Sequence, residues 1–380
     1  MAETQPSNDP VQELLALGQL NLPGEGFLVA LQEVCARVGA SDIHFSPQKE
    51  NVRLECRLHG VLRPVAMLTA AQYVDILRRI KFLAKLKLNV TNIPQDGQYT
   101  FDLENRIVNV RTATLPSRFG ETVTLRLLDP KRGIIPLEQL GFPEEIKKTL
   151  QELVELPNGL ILVTGPTGSG KTTTLYALLS TIVGKERNII TLEDPVEYEL
   201  KGIVQSQIDQ EHEYSFASGL RSVLRHDPDV ILVGEIRDQE TAQTAINAAL
   251  TGHLVLSTLH TNSAVEAIPR LLSMGVSPYT FAPALRAVLA QRLVRTLKAE
   301  CKVAGAKCDP SSHDSYDGQM SLPELLLVTP AIQQLIVNLE QGQQIKEQAM
   351  KEGFISMSDW GEKFIKEKKT SREEVARVTA

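Results

Sequence analysis

Residues 160–180 read LILVTGPTGSGKTTTLYALLS. LILV is a short, unbroken apolar run of the kind that makes a strand buried on both faces. TTTLYALLS reads as a helix. Between them GPTGSGKT, residues 165–172, fits the spacing G-x-x-x-x-G-K-[ST]. That spacing acquires meaning in a strand–loop–helix context. Gly165, Gly168 and Gly170 let backbone N–H groups curl around phosphate without Cβ clashes, and the helix N-terminus adds partial positive charge. Lys171 reaches toward β- and γ-phosphates, and the Thr172 hydroxyl is a Mg²⁺ ligand. Pro166, Thr167 and Ser169 complete the loop, and Thr173 opens the helix. The stretch predicts a nucleoside triphosphate site.

The same texture continues toward the C-terminus. NIITLED, FASGLRSVLR, VILVGE, TAQTAINAAL and HLVLSTLH alternate buried strands with helical runs, the rhythm of a doubly wound parallel sheet. In such sheets ligands sit beyond the carboxyl ends of the strands. Glu193 and Asp194, Glu235, and His260 all follow strand-like runs, so they are expected at one edge with the phosphate loop. Glu235 is assigned to Mg²⁺ through a water, because that ion prefers to keep its hydration shell. A carboxylate at a strand end can equally be a helix cap or a solvated tip; the phosphate loop beside it favours the metal reading.

Upstream, FLVALQEVCARVGA reads as an amphipathic helix running into the strand SDIHFSP. NVRLECRLHG, the helix AQYVDILRRIKFLAKLKL, and the strands GQYTFDL, RIVNVRTATLP and ETVTLRLLD follow. The predicted layout is a flexible arm (1–24), a small α+β domain (25–129), and a linker (130–143) with prolines and glycines. A nucleotide domain (144–298), a loop with two cysteines (299–320) and a helical C-terminal subdomain (321–380) complete it. The last two β-runs before the linker form a hairpin around PSRFG, which sets Arg111 and Arg126 nearly opposite one another. Like charges across a strand pair are unfavourable unless compensated. Arg221 and Arg225 fall at i and i+4 of FASGLRSVLR, again like with like. Both pairs are either solvated or facing an anion such as triphosphate. In LRRIKFLAKLKL the basic residues Arg78, Arg79, Lys81, Lys85 and Lys87 read as a solvated helix face.

Composition narrows the classes. The 380 residues suffice for two or three domains, and a net charge of −6 argues against bulk nucleic-acid affinity. No apolar run approaches the roughly 18 residues of a membrane span, and MAETQPSNDP lacks the features of a secretory signal. Cys35, Cys56, Cys301 and Cys308 are too few and too scattered for a disulfide framework. A cytoplasmic protein is expected, resting on a membrane through partners at most.

ASDIHFSP, IPQDG, RTATLPSRFGETVTLRLLD, GPTGSGKTTTLY, ITLEDPVEY, LRHDPDVILVGEIRD, TGHLVLSTLHTNSA and AQRLVRTL, in this order, resemble the signatures of the secretion-motor ATPase superfamily. That superfamily serves type II secretion, type IV pilus assembly and DNA uptake. The likeness covers roughly residues 25–380. It implies an α/β chain: a PAS-like α+β domain, a RecA-like P-loop ATPase domain and a mainly helical C-terminal extension, assembled as a homohexameric ring. It implies ATP hydrolysis, with Glu193 as a candidate to polarise the attacking water and Glu235 serving Mg²⁺ and sharing the base role; which carboxylate takes the proton stays open. His253 and His260 match its histidine box, His260 as γ-phosphate sensor. Arg111, Arg126, Arg221 and Arg225 match its phosphate-contacting arginines, with Arg118 a weaker match.

The tail resembles the assembly and secretion branch, which implies an inner-membrane platform protein as partner and no specific nucleic acid. Retraction or DNA-uptake motors are the alternative within the family, and an ATP-binding scaffold with little hydrolysis is the alternative outside it. Members of that branch usually carry a four-cysteine zinc loop and a long N-terminal docking domain. Here only Cys301 and Cys308, with His313 nearby, occupy the loop, so zinc is not expected, and about two dozen residues precede the likeness.

Overall fold

The computed structural model describes residues 14, 16, 24–302, 308, 309, 312 and 315–379. The arm predicted for residues 1–24, apart from Leu14, Ala16 and Gly24, lies outside these residues, as does His313. The chain divides into two compact units, Met1–Gly133 and Ile134–Ala380.

The first unit contains helix α1 (Gly24–Val38), strands β1 (Ala40–Pro47), β2 (Asn51–Leu58) and β3 (Val61–Thr69), and helix α2 (Ala70–Leu83). Strands β4 (Gln95–Leu103), β5 (Arg106–Ser117) and β6 (Gly120–Leu128) follow. The six strands form one antiparallel sheet in the order β3-β2-β1-β6-β5-β4. Alternation along β5 sends Val108, Val110, Thr112 and Thr114 to the buried face, where the core also gathers Leu31, Phe45, Leu54, Ile76 and Leu125. A reciprocal Thr69–Gln72 capping box starts α2. Strand β3 has no counterpart in the sequence reading, because Pro64 interrupts its pattern. The residue is tolerated since β3 is an edge strand with no neighbour on one side. Helix α2 ends at Leu83, short of the predicted Leu88.

The second unit runs α3 (Glu144–Val154), β7 (Gly159–Thr164), α4 (Lys171–Ile182), β8 (Ile189–Glu193), β9 (Val204–Gln207), α5 (Phe216–Val223) and β10 (Val230–Val233). It continues with α6 (Gln239–Leu250), β11 (Leu254–Leu259), α7 (Ala267–Ser273), α8 (Pro278–Ala284), β12 (Leu285–Leu297) and β13 (Tyr316–Leu327). Four helices close it: α9 (Pro330–Val337), α10 (Gly342–Lys351), α11 (Met357–Lys366) and α12 (Arg372–Thr379). The sheet order is β13-β12-β7-β11-β10-β8-β9, parallel from β9 through β12, with β13 antiparallel at one edge. Strands β7, β8, β10 and β11 are buried along their whole length, as expected where helices cover both faces.

Three expectations need correction here. The stretch from residue 321 does not open as helix: Ser321–Leu327 is the second half of β13, paired with Ala287–Leu293 of β12. Within the proline-containing linker, Leu137, Leu140 and Phe142 are buried in the core of the second unit, so its latter half is packed structure. Cys301 and Cys308 are joined by a disulfide between β12 and β13, where the sequence reads as having too few and too scattered cysteines for a disulfide framework; Cys35 and Cys56 stay free and buried. Among the described residues no helix is long and apolar enough to cross a membrane.

Candidate active site

Strand β7 delivers the chain into the phosphate loop, where Gly165, Gly168 and Gly170 take φ values of +149°, +78° and +87°. A Cβ on Gly165 would lie 2.5 Å from Ser169 Oγ and 2.6 Å from the Gln291 carbonyl, so that position is closed to larger residues by space as well as by backbone. Gly170 caps α4 with no side-chain hydrogen bond, leaving the first N–H groups of a 12-residue helix to an outside acceptor. Ser169 Oγ is buried without a partner. Lys171 Nζ donates to the carbonyls of Gly165 (2.8 Å) and Pro166 (3.1 Å). Burial draws the Lys171 pKa down, with Glu235 opposing and Arg292 reinforcing the shift. An orphaned hydroxyl, an uncapped helix and a lysine resting on its own loop together fit an anion such as triphosphate. Thr172 is exposed in the first helical turn.

The neighbouring parallel strands end at the same edge. Leu259 is level with Thr164, Ser257 with Val233, and Val233 with Leu192. Glu235, two residues past β10, pairs with Arg237 at 2.5 Å and has His260 Nε2 at 3.7 Å. Burial lowers the His260 pKa below its ordinary value, Lys171 lowers it further, and Glu235 pulls the other way. The imidazole is therefore neutral at pH 7. Lys171, Glu235, Arg237 and His260 thus share one electrostatic neighbourhood.

Glu193 is at the same edge but differently held. Its carboxylate accepts from the Tyr176 hydroxyl, from Thr191 Oγ1 at 2.6 Å and from Gln205 Nε2 at 3.0 Å, and the residue is buried. Burial and the Glu193 charge push the Tyr176 hydroxyl pKa far up, which keeps it a donor. In this conformation both oxygens of Glu193 are engaged by protein donors.

Other predicted residues fall elsewhere. His253 precedes β11, at the amino end of the strand that His260 follows, and bonds the Ala248 carbonyl through Nδ1 at 3.0 Å. Six strand residues separate the two, about 20 Å, so His253 does not join the phosphate edge. Helix α5 stops at Val223, so Arg225 lies beyond it. The Arg225 guanidinium bonds the Arg221 carbonyl (2.9 Å) and Ser222 Oγ (3.2 Å), while Arg221 pairs with Glu240. That carboxylate relieves the like-charge contact expected from spacing. In the first unit Arg111 and Arg126 are directly opposite across β5 and β6, and Asp42 Oδ1 accepts from Arg126 Nε at 2.9 Å. Arg118 stacks on Phe119 at the hairpin tip.

Residues 26–377 match the protein family described as type II/IV secretion system protein. The chain belongs to that family. The type II secretion system protein HxcR of Pseudomonas aeruginosa is 43% identical over 356 residues, covering 92% of this chain and 76% of that one. The type II secretion system ATPase E of Vibrio cholerae is 40% identical over 402 aligned residues, covering 100% and 79%. Among solved structures, the pilus retraction motor PilT with bound ADP has a TM-score of 0.65 at 30% identity, covering 92% and 96%. The Legionella pneumophila ATPase DotB shares the fold, with a TM-score of 0.73 at 22% identity and 93% and 95% coverage. This type II/IV secretion protein is accordingly an ATP-hydrolysing enzyme with a RecA-like domain.

In the secretion ATPase a residue not singled out by motif reading also contacts the phosphate loop. Gln291, fully buried on β12, donates to the Ser169 carbonyl (2.6 Å) and accepts from Thr174 Oγ1 (3.0 Å). One amide thereby holds the loop to the helix on either side of Lys171. Its sequence signals are its place in the signature AQRLVRTL and, with Arg292, a polar interruption of the apolar run AVLAQRLV. Gln291→Leu strands both partners, and ATP affinity is expected to fall about tenfold, roughly 1.4 kcal/mol. Titration with a fluorescent ATP analogue reads this; unchanged affinity would leave Gln291 a core residue only.

Proposed function

We propose that this secretion ATPase is the cytoplasmic hydrolytic motor of a type II secretion or type IV pilus-assembly system. It would work as a ring of six copies against an inner-membrane platform protein. Identities of 40–43% to type II secretion proteins, against 30% to the retraction motor, favour secretion or assembly over retraction. The observation that carries the reading is the gathering of Lys171, Glu235 and His260 at one strand edge beside an uncapped helix start.

In this mechanism the loop N–H groups and Lys171 bind the β- and γ-phosphates, and neutral His260 donates or accepts one hydrogen bond at the γ-phosphate. The Thr172 hydroxyl and Glu235 would hold Mg²⁺, which offsets phosphate charge when bound. Between Glu193 and Glu235, Glu235 is favoured as the group that orients the attacking water, since Glu193 is saturated by hydroxyl and amide donors. Arg111 and Arg126 would reach the phosphates of a neighbouring copy, and Arg221 and Arg225 would contribute after exchanging their present partners.

A mixing experiment tests the ring reading. Glu235→Gln and Arg126→Gln proteins, each inactive, are combined before assembly, and phosphate release is followed. If the arginine acts across copies, random mixing gives about a quarter of interfaces with both intact groups, and activity returns to about that level. No recovery in a mixture shown to co-assemble would overturn the cross-copy role.

A further inference from the structure

The motif AQRLVRTL contributes a second residue beside Gln291. Arg292 sends Nε to the Val378 carbonyl (3.1 Å) and Nη1 to the Gln291 carbonyl (3.2 Å). Nη2 goes to the carbonyl (3.1 Å) and the Oδ1 (3.3 Å) of Asn262. All of these acceptors are neutral oxygens, although Arg292 sits near enough to Lys171 to depress its pKa. Burial lowers the Arg292 pKa, and Glu324 and Glu266 oppose that shift without making an ion pair with it. A half-buried guanidinium whose hydrogen bonds all go to neutral oxygens is costly, and the fork geometry is what it supplies in return.

What the fork joins gives the arrangement its sense. Asn262 is two residues past His260. Between them Thr261 is pinned from the other side, its N–H on Thr164 Oγ1 at 2.8 Å, where β7 turns into the phosphate loop. The loop bearing His260 is therefore held by two clamps, Thr164 and Arg292. Val378 lies in α12, the last helix. That helix is seated on β12 by buried Glu374, which accepts from the Arg295 N–H (2.9 Å) and Nη2 (2.8 Å).

We infer that Arg292 is a positioning residue for hydrolysis: its fork ties the C-terminal helix, through the Val378 carbonyl, to the loop that aims His260. The inference rests on the reading that His260 meets the γ-phosphate. A shift in the seating of α12 changes the aim of His260, so the C-terminal subdomain acts on turnover without touching nucleotide. Lysine cannot replace the arginine, since one ammonium does not span acceptors on three separate segments.

The test uses the full chain. Steady-state phosphate release and equilibrium ATP binding are measured for Arg292→Met, Arg292→Lys, His260→Ala and the His260→Ala/Arg292→Met double variant. Both Arg292 variants should lose about tenfold in kcat while KM and ATP affinity move less than about threefold, and the double should be no slower than His260→Ala alone. Losses that multiply in the double variant, a normal kcat, or a lysine variant as active as the parent would overturn the inference. So would weakened ATP binding with kcat intact, which would make Arg292 a direct phosphate contact. If Arg292→Met fails to fold, Asn262→Ala carries the test: a kcat loss of about threefold that vanishes in the His260→Ala background supports the clamp, and its absence overturns it. A fully active His260→Ala protein would instead remove the sensor reading, and the inference with it.

Discussion

Changing Glu235 to glutamine is expected to leave ATP binding intact and to slow phosphate release about 100- to 1,000-fold, roughly 3–4 kcal/mol of transition-state stabilisation. Glutamine keeps the shape of the side chain and removes its charge. In the protein that charge balances Arg237 at 2.5 Å and opposes the burial that depresses the Lys171 pKa. Without it the edge becomes more positive, which does not weaken the hold on a triphosphate. What disappears is the carboxylate that lies 3.7 Å from His260 and is paired with Arg237. Single-turnover phosphate release, read beside equilibrium binding of a fluorescent ATP analogue, separates the two effects. Hydrolysis within about fivefold of the parent would remove Glu235 from the chemistry. Glu193→Gln belongs in the same experiment. A larger loss there, in a protein that still melts normally, moves the base to the end of β8 and requires the Tyr176 and Thr191 hydroxyls to release their acceptor before turnover.

The phosphate edge was legible because the signals that mark it are local. A buried apolar run ends, a glycine or acid follows, and parallel connectivity then sends every such end to one side of the sheet. His253 shows how far that logic reaches. Its place before LVLSTL, with His260 after, already puts the two at opposite ends of β11, and the resemblance to a histidine box overrode this local reading. Non-local partners were not legible. The donors that saturate Glu193 come from 17 residues upstream and 12 downstream as well as from its own strand, and no spacing rule joins them. Gln291 bonds a loop 122 positions away and Arg292 bonds Asn262, 30 positions away, and Val378, 86 away, both from a strand that pattern reading did not assign. The strands that escaped include the edges β3 and β13, carrying Pro64 and Pro323. An edge strand needs hydrogen bonds on one side only, so it keeps residues that would disqualify a central strand.

Lys81 is the sharpest case of a charge whose meaning the chain pattern hides, and its removal has the largest expected effect on stability. Within LRRIKFLAKLKL it reads as one of several solvated cations, yet its side chain is 2% exposed while the adjacent Phe82 is 64% exposed. Nζ lies 2.8 Å from the carboxylate of Glu121, itself 3% exposed, and donates to the Val90 carbonyl at 2.7 Å. The Tyr73 hydroxyl closes the cluster on the Glu121 carbonyl at 2.6 Å. One helix, one connecting segment and the start of β6 meet at this ion pair. Lys81→Met leaves Glu121 charged and buried without its counter-ion, a loss of about 3–5 kcal/mol. Lys81→Met/Glu121→Leu removes both charges and should recover most of that loss, because two desolvated ions are exchanged for apolar contact. The only tryptophan, Trp360, lies in the second unit, so its fluorescence does not report on the first. Hydrogen exchange at the β5 and β6 amides does. A single variant whose protection falls by less than about 1 kcal/mol would make the pair incidental, as would a double variant no better than the single. High salt should change neither result much, since screening acts weakly on charges this deeply buried.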